Sequence, residues 1–408
     1  MSNSEIDRLN QEQVTEQTYF WDRLRGVSQG ILETTWQTFG LIVAIRYFHA
    51  DESIKQYLPA AGGIGLILSP LFLAFFSRQS ARISSQLAFN WLFIALFVGL
   101  AAVAPGAMLF IACLFLAQFT HAQSLALMTH LYARNYPVSQ RGTRLSMSHL
   151  FAAFGAIIFG YLGGVILDIS LDAYIWILLM GVGAALAAAW FSMKIPSEPG
   201  RELRTTHIFK SIQTAWQDRL FRWMLIAWML MGMGNLMLMP IRVEYLANPI
   251  YGVNLSNTEI SMLLVSTVMI FRLLSTRLWG LLFDRTNLIT TRILLNFCFI
   301  LSIAVFFNST HLFFLGVGAA LLGIAFGGGG IMWALFVTRV APAERVTAYM
   351  SVHGFFTGLR GAIAPFIGYT LISTTHASFT AWVSLLLISL STLIFLPMRK
   401  AISERNLS

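Results

Sequence analysis

The strongest candidates for chemistry in this sequence are polar residues inside otherwise apolar stretches. Glu33 stands in the stretch 27–48, with Gln29 and Gln37 four residues to either side. This spacing predicts that the three side chains share one face of a helix. One interpretation is an acid that lines a cavity and binds a ligand or carries a proton. The other is a structural carboxylate that pairs with an arginine of a neighbouring helix, and the sequence leaves both open.

Arg360 is a second candidate, in the middle of the apolar stretch 347–371. An arginine stays charged at any physiological pH, so it cannot itself carry a proton. Its guanidinium group can bind an anion through two parallel hydrogen bonds, or it can hold a carboxylate such as Glu33 ionised.

Four further side chains have a polar or aromatic character that suits a ligand site. Gln118 and His121 are three residues apart and share a helix face. Because histidine titrates near neutral pH, His121 is a coupling candidate, with a packing role as the alternative. Asn235 lies beside Gly232 and Gly234 and is expected to face a cavity. Trp333 follows four consecutive glycines and forms either an aromatic cavity wall or a tight helix contact.

Metal and cofactor chemistry finds no support in the sequence. The two cysteines, Cys113 and Cys298, each lie in an apolar stretch, far from any metal-ligand spacing. The chain contains no GxxxxGK[ST] phosphate loop, so we expect no nucleotide-driven step and no cofactor.

The elements that must position these residues follow from the composition. Of 408 residues, 57% are hydrophobic and only 11% are charged, whereas soluble domains carry about 25% charged residues. Several apolar stretches reach the roughly 20 residues that a helix needs to cross a bilayer. The sequence therefore predicts an all-α membrane protein, because helices satisfy their backbone hydrogen bonds in lipid.

Apolar stretches predict twelve transmembrane helices. We place them at 27–48, 54–76, 84–104, 107–132, 145–167, 173–193, 221–246, 259–282, 288–307, 311–337, 347–371 and 376–397.

Positive charge predicts the orientation. The net charge is +9, and 22 of the 27 Lys and Arg residues fall in the termini and in alternate connections. This asymmetry places both termini in the cytoplasm and makes nucleic acid an unlikely partner. Near the outer end of the seventh helix, Arg242 and Glu244 are expected to lie as a pair at the membrane interface.

The sequence divides into two halves around a charged linker. We predict a cytoplasmic N-terminal segment (1–26), a six-helix bundle (27–193), a cytoplasmic linker with an interfacial helix (194–220), a second six-helix bundle (221–398) and a cytoplasmic tail (399–408). The connection around Arg141 and His149 repeats around Arg345 and His353, at a constant offset of 204 residues. Such a repeat indicates two pseudo-symmetric bundles, and it predicts a shared gating role for His149 and His353.

With this organisation and the segment GLLFDRTNLITTR, the chain resembles the major facilitator superfamily over its whole length. The segment is similar to the family's glycine-x-x-x-aspartate-arginine signature. The resemblance implies gating roles for Gly280, Asp284 and Arg285, in which the glycine allows close helix approach and the aspartate pairs with an arginine. In the first-half counterpart Ser77 replaces the aspartate, while Arg78 and Arg82 remain.

The resemblance also implies a function, which is secondary active transport of a small organic solute across the cytoplasmic (inner) membrane of a bacterium. Two bundles would expose a midplane site to each side in turn, by alternating access. We expect coupling to protons through Glu33, with His121 second, in a monomer surrounded by membrane lipid. We expect no enzymatic activity. The alternative is a transporter-like receptor or assembly factor that does not transport.

Overall fold

The computed structural model describes residues 3–202, 208–342 and 345–405. This part of the chain is almost entirely helical, and the only β-type pairing within it is an isolated bridge between Arg82 and Pro199. The predicted all-α fold class is confirmed.

Eleven helices in the described ranges are long and apolar enough to cross a membrane. They correspond to the second to twelfth predicted stretches, so the chain is a multi-pass membrane protein. The first predicted stretch is helical as well. Its polar residues, including Glu33 and Gln37, make it less apolar than the others, and its crossing of the membrane stays a prediction.

Contacts divide the chain into two compact units. The first unit contains Met1–Ala50 and Leu68–Thr205, and the second contains Asp51–Ile67 and Thr206–Ser408. The boundary therefore falls inside the second long apolar helix. The predicted division into bundles at 27–193 and 221–398 stays a prediction.

Long helices that cross at small residues make up the first unit. Gly30 approaches Ala152 so closely that a Cβ atom at position 30 would overlap the Ala152 carbonyl oxygen. Small residues of this kind let membrane helices pack backbone to backbone. The helices are α1 (Asn3–Thr34), α2 (Gly40–Arg46), the C-terminal part of α4 (Tyr57–Phe76), α5 (Ile83–Ala102), α6 (Ala107–Asn135), α7 (Val138–Ile169) and α8 (Tyr174–Met193); the short α3 (Glu52–Lys55) belongs to the second unit.

The N-terminal part of α1 is tied to the end of α6 and the start of α7. The Thr15 hydroxyl donates to the Asn135 carbonyl oxygen at 2.7 Å, and the Asn135 amide donates to the Thr18 hydroxyl at 2.9 Å. Arg144 donates to Glu16 at 2.6 Å, and this hydrogen bond lowers the pKa of the Glu16 carboxyl group. Residues predicted as a polar leading segment therefore extend the first helix.

Several helices of the second unit begin at a residue whose side chain caps the helix N-terminus. Asp218 accepts from the backbone amides of Leu220 and Phe221, and Ser256 forms a capping box with Glu259. The helices are α9 (Ile208–Gln217), α10 (Arg219–Ala247), α11 (Asn257–Ser261), α12 (Val268–Arg285), α13 (Leu288–Phe307), α14 (Leu312–Val340), α15 (Val346–Thr374) and α16 (Ala377–Arg405).

A buried ion pair joins α3 to α10 within the second unit. The Lys55 ammonium group lies 2.8 and 2.9 Å from the two carboxylate oxygens of Glu244, and the two residues are only 2% and 0% exposed. Asn248 donates a further hydrogen bond to the same carboxylate at 2.8 Å. Burial raises the pKa of the nearby Tyr251 phenol, and the charges of Glu244 and Glu52 raise it further.

Arg242 and Glu244 do not form the pair expected from the sequence. Residues two apart on a helix point in different directions, which separates their side chains. Both are buried, and the Arg242 guanidinium carbon lies 5.7 Å from the ring centroids of Phe306 and Phe307.

Replacing Lys55 by methionine should destabilise the folded protein by about 3–5 kcal/mol, because Glu244 would keep a buried, uncompensated charge. The double variant Lys55→Met with Glu244→Met should recover most of this loss, since no unpaired charge remains. Thermal unfolding of the purified protein in detergent, followed by tryptophan fluorescence, measures both effects. Equal loss in the single and double variants would show that packing, rather than charge, governs this position.

Candidate functional site

Glu33 lies at the end of a chain of hydrogen bonds along one face of α1. Asp22 accepts from the Arg25 guanidinium group at 2.7 and 2.9 Å. Arg25 donates to the Gln29 side-chain oxygen at 2.9 Å, and the Gln29 amide donates to Glu33 at 2.8 Å. The predicted sharing of a face by Gln29 and Glu33 is therefore present, and it extends two turns further toward the N-terminus.

The beginning of this chain is buried and bonded to two other helices. Asp22, which is fully buried, also accepts from the Tyr132 hydroxyl of α6 at 3.0 Å and from the Ser148 hydroxyl of α7. Arg25 donates to the same Tyr132 hydroxyl at 3.0 Å. The carboxylate and the guanidinium group thus satisfy each other, which lowers the cost of burying both.

His121 lies between two tryptophans of the first unit. Its ring centroid is 5.3 Å from that of Trp36 and 5.5 Å from that of Trp91. His121 interacts electrostatically with Glu33. The indole nitrogen of Trp91 and the side-chain oxygen of Gln118 are buried without a hydrogen-bond partner. One carboxylate, Glu33, and one unsatisfied indole nitrogen, that of Trp91, therefore belong to the surroundings of His121.

A π-helical turn, Thr35–Phe39, begins two residues after Glu33. Gln37 lies on this turn and is exposed, whereas Trp36 beside it is buried. The expected sharing of a helix face by Glu33 and Gln37 stays a prediction.

Arg360 is buried in the second unit and contacts α10. It donates to the Trp228 carbonyl oxygen at 2.7 Å and to the Thr357 hydroxyl at 3.3 Å. Thr357 also accepts from the Trp333 indole at 3.2 Å. The predicted residues Arg360 and Trp333 therefore meet through one hydroxyl group.

Asn235 lies on α10, the helix that carries Trp228. It is buried, and its side-chain oxygen has no hydrogen-bond partner. One turn earlier, Gly232 makes room for Arg360. A Cβ atom at position 232 would overlap the Arg360 side chain, so glycine allows the guanidinium group its present place.

The predicted gating residues of the first half, Arg78, Arg82 and His149, are all exposed. Arg82 also forms the isolated backbone bridge with Pro199. Their roles at a gate stay predictions.

The predicted gating residues of the second half have different environments. Asp284 approaches Arg339 to 4.0 Å, and both side chains are exposed. Arg285 is exposed, and at Gly280 an added Cβ would make only an ordinary contact, 3.8 Å from Ile331. His353 is buried among aromatic rings, unlike its exposed sequence counterpart His149.

Sequence reasoning missed several buried charges, among them Asp22, Arg25 and Arg292. The first two lie in the predicted cytoplasmic segment 1–26, although their spacing with Gln29 and Glu33 places all four on one helix face. Arg292 is one of the 22 basic residues that the sequence assigns to the termini and alternate connections. It lies inside α13 and is 2% exposed. Across 3–202, 208–342 and 345–405, no group of three or more His, Cys, Asp or Glu side chains is placed to hold a metal ion.

The sequence profile described as Major Facilitator Superfamily matches residues 26–365. The chain belongs to the major facilitator superfamily. No curated protein matches this member of the superfamily significantly in sequence.

Solved structures of transporters share the fold of this superfamily member. A mutant of the nucleoside transporter NupG has a TM-score of 0.79 at 14% identity, with 93% of this chain and 99% of that chain covered. The D-xylose-proton symporter has a TM-score of 0.69 at 16% identity, covering 93% and 97%. A POT family transporter in complex with a thioalcohol conjugated peptide has a TM-score of 0.71 at 11% identity, covering 96% of each chain. The chain thus shares the fold of these transporters.

Replacing Asp22 by asparagine should destabilise the protein by about 3–5 kcal/mol, because Arg25 would lose the buried charge that compensates it. Glu16→Gln, on the same helix, is the matched control. Its exposed pair with Arg144 should contribute only about 0–1 kcal/mol. Thermal unfolding in detergent compares the two variants, and similar small shifts would contradict a structural role for the Asp22–Arg25 pair.

Proposed function

We propose that this protein is a proton-coupled secondary transporter that moves a small organic solute by alternating access. The observation that carries the proposal is the position of Glu33. It is a carboxylate inside the first apolar helix, bonded to Gln29 and electrostatically coupled to His121.

This arrangement suits a proton carrier for a physical reason. A charged side chain at bilayer depth costs at least about 2.5–3.5 kcal/mol, so an acid retained there is a candidate for a functional role. Gln29 can bond to either form, since its amide donates to a carboxylate or to the carbonyl oxygen of the protonated acid. The coupling role of Glu33 therefore does not require the rest of the hydrogen-bond chain to break.

His121 is the second group proposed for coupling. Its ring lies between Trp36 and Trp91, and it interacts electrostatically with Glu33. Proton transfer between Glu33 and His121 would keep the net charge of the pair constant while moving charge within the first unit.

Two proteins of similar structure support the same class of activity. One is a D-xylose-proton symporter and another is a nucleoside transporter. At identities of 16% and 14%, the likeness shows a shared fold and does not identify the solute.

We further propose a bacterial inner-membrane location with both termini in the cytoplasm, and a monomer surrounded by lipid. The supporting observation is the distribution of Lys and Arg, 22 of 27 on the predicted cytoplasmic side.

Replacing Glu33 by glutamine should abolish solute accumulation driven by an imposed pH gradient, while exchange of solute across the membrane persists. Glutamine keeps a hydrogen bond to Gln29 but cannot release a proton. Proteoliposomes with pooled metabolites measure both activities. Glu16→Gln, an exposed carboxylate of the same helix, should accumulate solute normally. Accumulation by Glu33→Gln at the wild-type level would make Glu33 a structural residue.

The membrane topology is tested by labelling introduced cysteines, in a variant in which Cys113 and Cys298 are first replaced by serine. Val138 and Ile250 are 84% and 73% exposed and lie in connections predicted on opposite sides of the membrane. A membrane-impermeant maleimide should label Ile250→Cys in intact spheroplasts and Val138→Cys only in inverted vesicles. The reverse pattern would refute the proposed orientation.

A further inference from the structure

The second unit buries two arginines against one tryptophan. The guanidinium carbon of Arg292 lies 4.4 Å from the Trp228 ring centroid, and that of Arg360 lies 5.7 Å from it. Both distances are within the about 6 Å over which a cation is attracted to a ring. The two side chains come from α13 and α15, so the fold gathers them at α10.

Neither arginine has a carboxylate partner in the described part of the chain. Arg292 donates twice to one amide oxygen, that of Asn296, at 3.0 and 2.7 Å. Arg360 donates to one carbonyl and one hydroxyl oxygen, and its Nε atom is buried without an acceptor. A guanidinium group has five N–H donors, so both retain capacity for an anion.

The second-unit carboxylates whose side chains the structure describes have other partners or are exposed. Glu244 and Glu52 lie beside Lys55, Asp218 and Glu259 cap helices, and Asp51 and Asp284 are exposed. Two like charges that cannot deprotonate are therefore buried close together at a considerable cost. The Trp228 ring and the neutral oxygen acceptors offset only part of the free-energy cost of burying these two charges.

His353 adds a third polar group to the same place. It is 1% exposed, and both ring nitrogens lack a hydrogen-bond partner. Its ring centroid lies 5.1 Å from that of Trp228 and 4.6 Å from that of Phe336. A neutral imidazole offers one donor and one acceptor, and here neither is used.

We propose that Arg292, Arg360 and His353 form the binding site for an oxyanion of the transported solute, either a carboxylate or a phosphate group. Resting on the proposed transport function, this assigns the solute to the organic anions. A guanidinium fork matches the paired oxygens of these groups. The surrounding rings of Trp228, Trp333 and Phe336 suit an apolar or cyclic body.

The site is closed in the present conformation. Arg360 is 5% and Arg292 2% exposed, and Gly232 leaves no spare room beside Arg360. Alternating access supplies the opening that binding needs. When the solute arrives, its negative charge replaces the weaker compensation by the Trp228 ring.

Anionic compounds and their neutral analogues test whether the ligand must carry a negative charge. Purified full-length protein is heated with benzoate or benzamide, nicotinate or nicotinamide, succinate or succinamide, and with glucose 6-phosphate or glucose. Bound ligand stabilises the folded state by mass action. We expect at least one anion to raise the midpoint of unfolding and its neutral counterpart to leave it unchanged. Stabilisation by neutral members alone, or by none of the anions, would overturn the proposal.

Variants then locate the site. Arg360→Gln and Arg292→Gln should each weaken binding of the stabilising anion roughly 10- to 100-fold, the usual range for a lost hydrogen bond to a charged group. Arg360→Lys should also weaken it, because an ammonium group lacks the planar fork. Arg242→Gln is the matched control. Arg242 is equally buried in the second unit and lies against Phe306 and Phe307, so binding should persist.

Measurements of solute uptake distinguish a failure of the anion-site proposal from a failure of the proposed transport function. If the proteoliposomes accumulate a neutral or cationic solute and Arg360→Gln leaves its KM unchanged, transport stands and the anion site is wrong. If Glu33→Gln restores the stability lost in Arg360→Gln, a carboxylate of the chain is the arginine's partner, which also overturns the proposal. Absence of gradient-driven flux in every pool, with anion stabilisation intact, counts only against the transport mechanism.

Discussion

A charge that leaves water must be compensated where it is buried, and this requirement organises the polar residues of the protein. Two solutions occur. Asp22 with Arg25, and Lys55 with Glu244, are full ion pairs with further hydrogen bonds to the carboxylate. Among the buried arginines, Arg242 lies against two phenylalanine rings, whereas Arg292 and Arg360 have neutral oxygen acceptors and share one tryptophan face. In the ion pairs, each charge is compensated by another charge of the chain. Arg292 and Arg360, in contrast, keep positive charge that a ligand can compensate.

Aromatic rings take part at both candidate sites, though in different ways. In the first unit two tryptophans flank His121, whose charge can change. In the second unit one tryptophan lies beside two arginines, whose charge cannot change. A proton therefore suits the first site and an anion suits the second. These assignments also agree with the proposed coupling, because a proton carried with an anion reduces the net charge that crosses the membrane.

Sequence reasoning succeeded where a property depends on neighbours along the chain. Eleven apolar helices in the described ranges follow from stretches long enough to cross lipid, and the Gln29–Glu33 hydrogen bond follows from a four-residue spacing. It failed where distant segments meet. Lys55 and Glu244 are 189 residues apart, and nothing local marks them as partners. The contact of Arg292 with Trp228 likewise joins two different helices.

The length of α1 has a practical consequence for imaging this protein. Its 32 residues span about 48 Å, well beyond the roughly 30 Å of a hydrocarbon core, and the helix continues through a π turn into α2. Small transporters offer few features outside a detergent micelle for aligning particle images. Here a continuous helix, held at Thr15, Thr18 and Glu16 by contacts with the ends of α6 and α7, projects beyond the apolar segment. A helical fusion in register with α1 would give a rigid fiducial marker without altering any loop.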